Sequence, residues 1–286
     1  MMIPPNISIE LTYNCNHACS FCSCPWLRHS TLYGRELDPK EWITILNALP
    51  DKQKRHITFT GGEPLLKKGF SEILEAAAEM EFASVSVFTN GSLLNEDFLT
   101  MFSRLGVNLA VSLPGIFSFR RLTHSVIGPR ELLEKVRAAR MKGIYTSVSI
   151  AVTSINRWEI IPTMLVAACY RASALQVGAC MPEGRALLHP DLWLSESQFV
   201  KLKQTVTFMT RILKVPISFS YEHQCGCYDL EGNVSGQIPP TCRAGVDFLV
   251  IGPDGRVRKC LHSPVASDTI FMQFFIKEGG HEQNVI

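Results

Sequence analysis

The chain has 286 residues, 46% of them hydrophobic and 19% charged, which is enough apolar material for a sizeable core and too much for wholesale disorder. A formal net charge of +2 is too small for the cationic footprint of nucleic-acid binding, and the short basic runs KQKRH (residues 52–56) and Arg120 with Arg121 read as solvated loop faces. The opening MMIPPNISIELTY lacks a basic n-region and a long apolar h-region, and the most apolar stretch, IIPTMLVAACYRA, is short and interrupted by Arg171, so neither a secretory signal nor a membrane span is expected.

A cytoplasmic protein follows, and in a reducing compartment ten cysteines point to metal binding or catalysis over disulfides. Residues 7–12 read as a strand, with Ile7, Ile9 and Leu11 on one face. Directly after it, LTYNCNHACSFCSCPW crowds Cys15, Cys19, Cys22 and Cys24 into ten positions. Helical stretches at 39–49, 70–80, 96–105, 130–142 and 158–170 then alternate with β-branched runs at 57–60, 84–89, 108–112, 146–153 and 174–177. Gly143 stands where a helix C-cap is expected. The alternation predicts an α/β fold, a partial (β/α)6 parallel barrel over residues 1–194. In such sheets ligands sit at the C-terminal ends of strands, which is where the cysteine cluster falls. A helix at 196–213 opens with the capping box SESQ and makes residues 195–214 a connection. Beyond it, 217–221 and the Pro-Asp-Gly hairpin FLVIGPDGRVRKC predict a small C-terminal β-rich unit over 215–286.

Cys15, Cys19 and Cys22 are spaced C-x3-C-x2-C, with aromatic Phe21 before the last. Soft thiolates select zinc or iron–sulfur clusters over hard ions. Structural zinc wants four protein ligands, whereas three thiolates can hold three irons of a cubane and leave the fourth open. Cys24 falls outside the three-ligand pattern and reads as a free thiol in the loop.

These residues resemble the radical SAM superfamily, whose signature is this spacing after the first barrel strand. Further segments follow the family's order across residues 7–260: Gly61-Gly62-Glu63-Pro64 after strand two, Asn90-Gly91 after strand three, Ser112 after strand four, Ile150 and Asn156 at strand five, and PEGRA (182–186) after strand six. The resemblance implies a 4Fe–4S cluster on Cys15, Cys19 and Cys22, with S-adenosylmethionine (SAM) chelating the open iron. It places Gly61, Gly62, Glu63, Pro64, Asn90, Ser112, Ile150 and Asn156 at SAM, Glu63 offering its carboxylate to the methionyl ammonium. One electron, from a donor such as a flavodoxin or ferredoxin, then yields a 5′-deoxyadenosyl radical that abstracts hydrogen from an unactivated C–H. Cys24, Cys180 and His124 are candidates for hydrogen-donor or other catalytic work, and Arg120 and Arg121 for contacts with SAM or substrate. Cys169 reads as a core residue.

Cys242 and Cys260 are spaced C-x12-G-x4-C, which resembles the opening half of a SPASM or twitch extension. With Cys225 and Cys227 they imply an auxiliary 4Fe–4S cluster; a zinc-stapled hairpin or an empty vestige are the alternatives. No cysteine follows Cys260, so the dense second half of that extension is missing and a second auxiliary cluster is excluded. The abrupt end suggests truncation. Pro114 also departs from the Ser-Leu-Asp-Gly that such relatives often carry.

The resemblance favours a peptide or protein substrate. The early first strand leaves no room for a leader-binding module ahead of the barrel, which keeps open a small-molecule dehydrogenase, epimerase or decarboxylase acting on an aminosugar or nucleoside. A third class is a non-catalytic metal-stapled binding protein, with His17 or Cys24 as fourth ligand.

Overall fold

The computed structural model describes residues 3–24, 34–220 and 243–261. Strands β1 (Asn6–Glu10), β2 (His56–Thr60), β3 (Ser84–Thr89), β4 (Asn108–Ser112), β5 (Thr146–Val152), β6 (Ala174–Ala179) and β7 (Ile217–Ser220) alternate with helices. These are α1 (Pro39–Ala48), α2 (Phe70–Glu79), α3 (Glu96–Arg104), α4 (Phe119–Thr123), α5 (Pro129–Met141), α6 (Ile160–Cys169) and α7 (Glu196–Ile212). The hairpin strands β8 (Phe248–Ile251) and β9 (Val257–Arg258) complete the set among the described residues.

All nine strands form one open sheet in the order β7-β6-β5-β4-β3-β2-β1-β8-β9, as the partial barrel requires. Every pair is parallel except β8–β9. Residues 217–220 and 248–258, read from the sequence as parts of a C-terminal unit, lie on the two edges of this sheet.

The period-two alternation of each strand divides its residues between two environments. Ile7 and Ile9, Ile57 and Phe59, Val85 and Val87, Leu109 and Val111, and Leu175 and Val177 are buried in the main core with the helices. Each such Ile, Leu, Val or Phe side chain contributes roughly 1.5–3 kcal/mol by leaving water. The residues between them, including Ser8, Thr58, Ser112, Ser149 and Gln176, line a cavity on the other face.

Local signals set the helix boundaries. Asp38 and Glu41 form a capping box at α1, Ser195 and Gln198 another at α7, and Asn95 caps α3. Gly143 follows α5 with φ of 79°, a left-handed stop that a side chain would strain. The five-residue α4 stands inside what the sequence offered only as a loop.

Cys169 corrects an expectation. It is exposed, because α6 buries the stripe Ile160, Thr163, Met164 and Ala167 and Cys169 lies off that stripe. Among the described residues no helix is long and apolar enough to cross a membrane.

Candidate active site

The cysteine loop leaves the end of β1 and is gripped from three sides. The turn after β2 holds its start: Leu11 N donates to Thr60 O at 3.0 Å, Gly62 N to Thr12 O at 2.8 Å and Glu63 N to Asn14 O at 2.8 Å. A Cβ on Gly61 would stand 2.7 Å from the Thr12 carbonyl oxygen, and one on Gly62 would collide with the Asn14 carbonyl, so only glycine permits this approach. The C-terminal end of α4 holds the middle, through Ala18 N to Thr123 O at 3.3 Å and Ser20 N to Leu122 O at 2.9 Å. The segment after β6 holds the end. Arg185 N and Ala186 N donate to Cys22 O at 2.8 and 3.2 Å, and the Arg185 guanidinium donates to Cys19 O at 3.0 Å.

The loop forms one wall of a cavity of about 570 Å³, lined at this end by Cys15, Cys19, Cys22 and Cys24. Cys15 Sγ accepts from His17 N at 3.4 Å and from Asn90 Nδ2 at 3.9 Å, while the Cys19 thiol lies 3.7 Å from Thr123 O. Burial pushes the Cys15 and Cys19 thiols up, and repulsion from neighbouring thiolates adds to it. Cys22 moves the other way, down to about 7, because the Cys24 thiol hydrogen-bonds to it and the Arg185 charge stands nearby. Anionic sulfurs gathered in a half-buried pocket repel one another; a cationic metal centre bound between them would offset that cost, so the donor set suits a thiolate-ligated metal.

The other expected residues separate into two groups. Gly61, Gly62, Asn90, Ser112 and Ile150 line the same cavity as the cysteines. Glu63 and Asn156 are buried in the frame and do not line it. The Glu63 carboxylate accepts from Thr89 Oγ1 at 2.6 Å, Asn90 N at 2.8 Å and Leu65 N at 3.2 Å, locking the turn after β2 to the end of β3. Burial raises the pKa of Glu63 despite these donors. Pro64 is buried and opens a short 3-10 turn. Asn156 Oδ1 accepts from Thr153 N at 2.6 Å, and its amide donates to Ala151 O at 2.8 Å and to Pro114 O, joining the ends of β4 and β5.

Cys24 lies with its thiol 3.7 Å from Gly61 O, and Cys180 lines the cavity nearby, its thiol pushed up to about 12 by burial. His124, Arg120 and Arg121 are exposed on or beside α4 and do not line the cavity. Cys260 is half-buried, whereas Cys225, Cys227 and Cys242 lie outside the described residues.

Sequence reasoning passed over several residues. Glu159 is fully buried and accepts from Ile116 N, Phe117 N and Ser118 N at 2.9, 2.6 and 3.1 Å, which fixes the loop feeding α4. Glu10 lines the cavity and pairs with Arg258 of β9 in a buried ion pair. Arg185 was visible only as one letter of PEGRA, and Gln176 only as the polar member of the alternation Leu175-Gln176-Val177.

Against known families, the model of the Radical SAM superfamily matches residues 9–166, more than half of the chain. The chain belongs to the radical SAM superfamily. Among curated radical SAM relatives, the sporulation killing factor maturation protein SkfB of Bacillus subtilis is 29% identical over 192 residues, covering 64% of this chain and 44% of SkfB. A probable GTP 3′,8-cyclase of Methanopyrus kandleri is 32% identical over 165 residues, 56% of this chain and 51% of the cyclase. The chain thus spans about half the length of the curated relatives it matches. Among solved structures, SuiB of Streptococcus suis, bound to its precursor peptide SuiA, superposes with a TM-score of 0.69 at 15% identity over 99% of this chain and 62% of SuiB. That likeness is one of fold.

Proposed function

We propose that Cys15, Cys19 and Cys22 hold a 4Fe–4S cluster with SAM at its open iron, and that the chain is an enzyme removing a hydrogen atom from an unactivated C–H of a peptide or protein. The observation that carries this reading is the convergence of the three thiols, the Gly61–Gly62 turn and Asn90 on one cavity at the C-terminal ends of β1 to β3.

When bound, the cluster and SAM supply one-electron cleavage of the sulfonium and the resulting 5′-deoxyadenosyl radical. This chain's residues supply position. The His17 N–H and the Asn90 amide face the Cys15 sulfur and orient it. Glu63 and Asn156 brace the strand ends from behind. The backbone of Gly61 and Gly62 and the Ser112 hydroxyl are the cavity surface left for SAM; Ile150 borders the cavity with its side chain buried in the core. An electron donor such as a flavodoxin or ferredoxin would reduce the cluster in the reducing cytoplasm. Cys260, with Cys225, Cys227 and Cys242, would hold an auxiliary cluster.

The peptide assignment is supported by the maturation protein among the relatives. A small-molecule reading is supported by the GTP cyclase and by a cavity within the 300–1,000 Å³ range typical of small-molecule sites. Anaerobic reconstitution followed by reduction in the presence of SAM tests the core of the proposal. Brown protein that releases 5′-deoxyadenosine is expected; colourless, zinc-loaded protein that releases none would refute it.

A further inference from the structure

The stretch of cavity wall formed by β5, β6 and β7 carries polar side chains with no task in the fold. Ser149 on β5 pairs in register with Gln176 on β6, and Gln176 with Ser218 on β7. All three line the cavity. Gln176 sits mid-strand yet is exposed, and neither its amide nor the Ser149 hydroxyl has a hydrogen-bond partner among the described residues. The Ser218 hydroxyl makes only a long contact, 3.5 Å to Leu175 O. A mid-strand glutamine held between two serines contributes little to sheet stability, where β-branched and aromatic side chains serve best.

We propose that Ser149, Gln176 and Ser218 form the substrate-recognition row of this cavity and that Gln176 reads a peptide group of the substrate. The inference rests on the reading above for the purpose of the cavity and adds which residues select what enters it. The chemistry follows from donor and acceptor counts. A glutamine side chain offers a carbonyl acceptor and two N–H donors, the complement of a peptide unit with its own N–H and C=O. Phosphate oxygens only accept. The charged groups lining the cavity among the described residues are Glu10 and Arg185, both toward the β1 and cysteine-loop side, so a triphosphate would find no cation along this row. Adjacent strands lie roughly 4.8 Å apart, so the row spans roughly 10 Å, about three residues of extended peptide at roughly 3.3 Å each. Water would satisfy these groups in the free protein, and a substrate amide would replace it with little rearrangement.

The test offers two probes, a randomised heptapeptide library and GTP, to reconstituted protein holding SAM, and reads retained species by mass spectrometry. Gln176→Leu removes the hydrogen-bonding groups, and Gln176→Glu keeps the shape but loses the donors; matching iron content and melting temperature show that both variants are folded. Peptides enriched by the wild type and reduced about tenfold or more in both variants support the proposal. Enrichment unchanged in the variants, no enrichment at all, or retention of GTP in preference to peptides overturns it. A wild type that enriches peptides but holds no iron would instead refute the cluster assignment and leave the recognition row standing.

Discussion

Between β1 and β3 the cavity wall is tied down atom by atom, whereas between β5 and β7 it is left loose. On the first side Glu63 takes three donors, Asn90 bonds Asn16 as well as facing Cys15, and two glycines press the backbone onto the cysteine loop. On the second side Ser149 and Gln176 stand without hydrogen-bond partners among the described residues. The same parallel sheet supports both, so the contrast lies in the side chains and not in the architecture. A wall that must hold one fixed group benefits from built-in rigidity, because misplacement by about 1 Å can cost roughly a hundredfold in rate. A wall that meets a polar partner benefits from groups whose hydrogen bonds are still to be made.

The largest expected effect removes what the rigid side exists to hold. Replacing Cys15, Cys19 and Cys22 together by Ala should abolish 5′-deoxyadenosine release, a loss of at least about a thousandfold. Iron analysis of the same variant reads the C-terminal cysteines: about four irons retained per chain would support an auxiliary cluster on Cys225, Cys227, Cys242 and Cys260, and none would count against it. If the triple variant still releases 5′-deoxyadenosine, the contrast between the two walls has no basis in chemistry.

Next in size is Gly62→Ala. The added methyl would run into the Asn14 carbonyl, which is backbone and cannot swing aside, so the start of the cysteine loop must move. Overpacking of this kind costs about 1–3 kcal/mol, and displaced thiols should lower 5′-deoxyadenosine release by roughly a hundredfold. Thermal melting with iron content separates the two contributions. Wild-type iron and rate in this variant would show that the loop is more pliant than its hydrogen bonds indicate.

How much of this was legible in the sequence depended on how local each signal was. The cysteine spacing is a matter of eight consecutive residues, and the strand ends follow from period-two alternation, so both the fold and the cavity mouth could be placed from local pattern. Glu63 could not be oriented the same way. Its partners Thr89 and Asn90 come from the next strand, and no local pattern shows that they claim its carboxylate before a cofactor's ammonium can. The five-residue α4 is too short to show a helical period, yet it grips the middle of the cysteine loop, and Glu159, which fixes the loop feeding it, is some forty residues away. Cys169 was misplaced because an apolar neighbourhood does not say which face of α6 a residue occupies. Gln176 was legible as an inward residue, but a single polar letter between Leu175 and Val177 carries no chemistry until the cavity around it is seen.

A smaller effect should follow from Arg185→Gln. The guanidinium lies beside Cys22, helps depress its pKa and donates to Cys19 O at 3.0 Å. A cation near a cluster favours the more negative, reduced state, so its loss should lower the reduction potential. A tenfold shift in the oxidised-to-reduced ratio, about 59 mV for one electron, is the expected scale. An EPR-monitored redox titration measures it, with Arg185→Lys recovering most of the shift if charge is the cause. Equal shifts in the two variants would assign the effect to the lost bond with Cys19 O.

The smallest effect belongs to a position that serves the sheet without touching either wall. Ser195 Oγ accepts from Gln198 N at 3.3 Å while Gln198 Oε1 accepts from Ser195 N at 3.0 Å, closing the first turn of α7. That helix buries Leu202, Val206 and Met209 and carries the chain to β7, the edge strand on which Ser218 stands. Ser195→Ala should cost about 1 kcal/mol, a fall in melting temperature of about 2–4 °C. Iron content and 5′-deoxyadenosine release should stay at the wild-type level, because the cysteine loop is held by the β2 turn, α4 and the segment after β6, none of which depends on this cap. Peptide retention is the sensitive readout. A drop there without loss of iron would mean that the loose wall is set by the position of β7, and that its freedom extends from side chains to the strand itself.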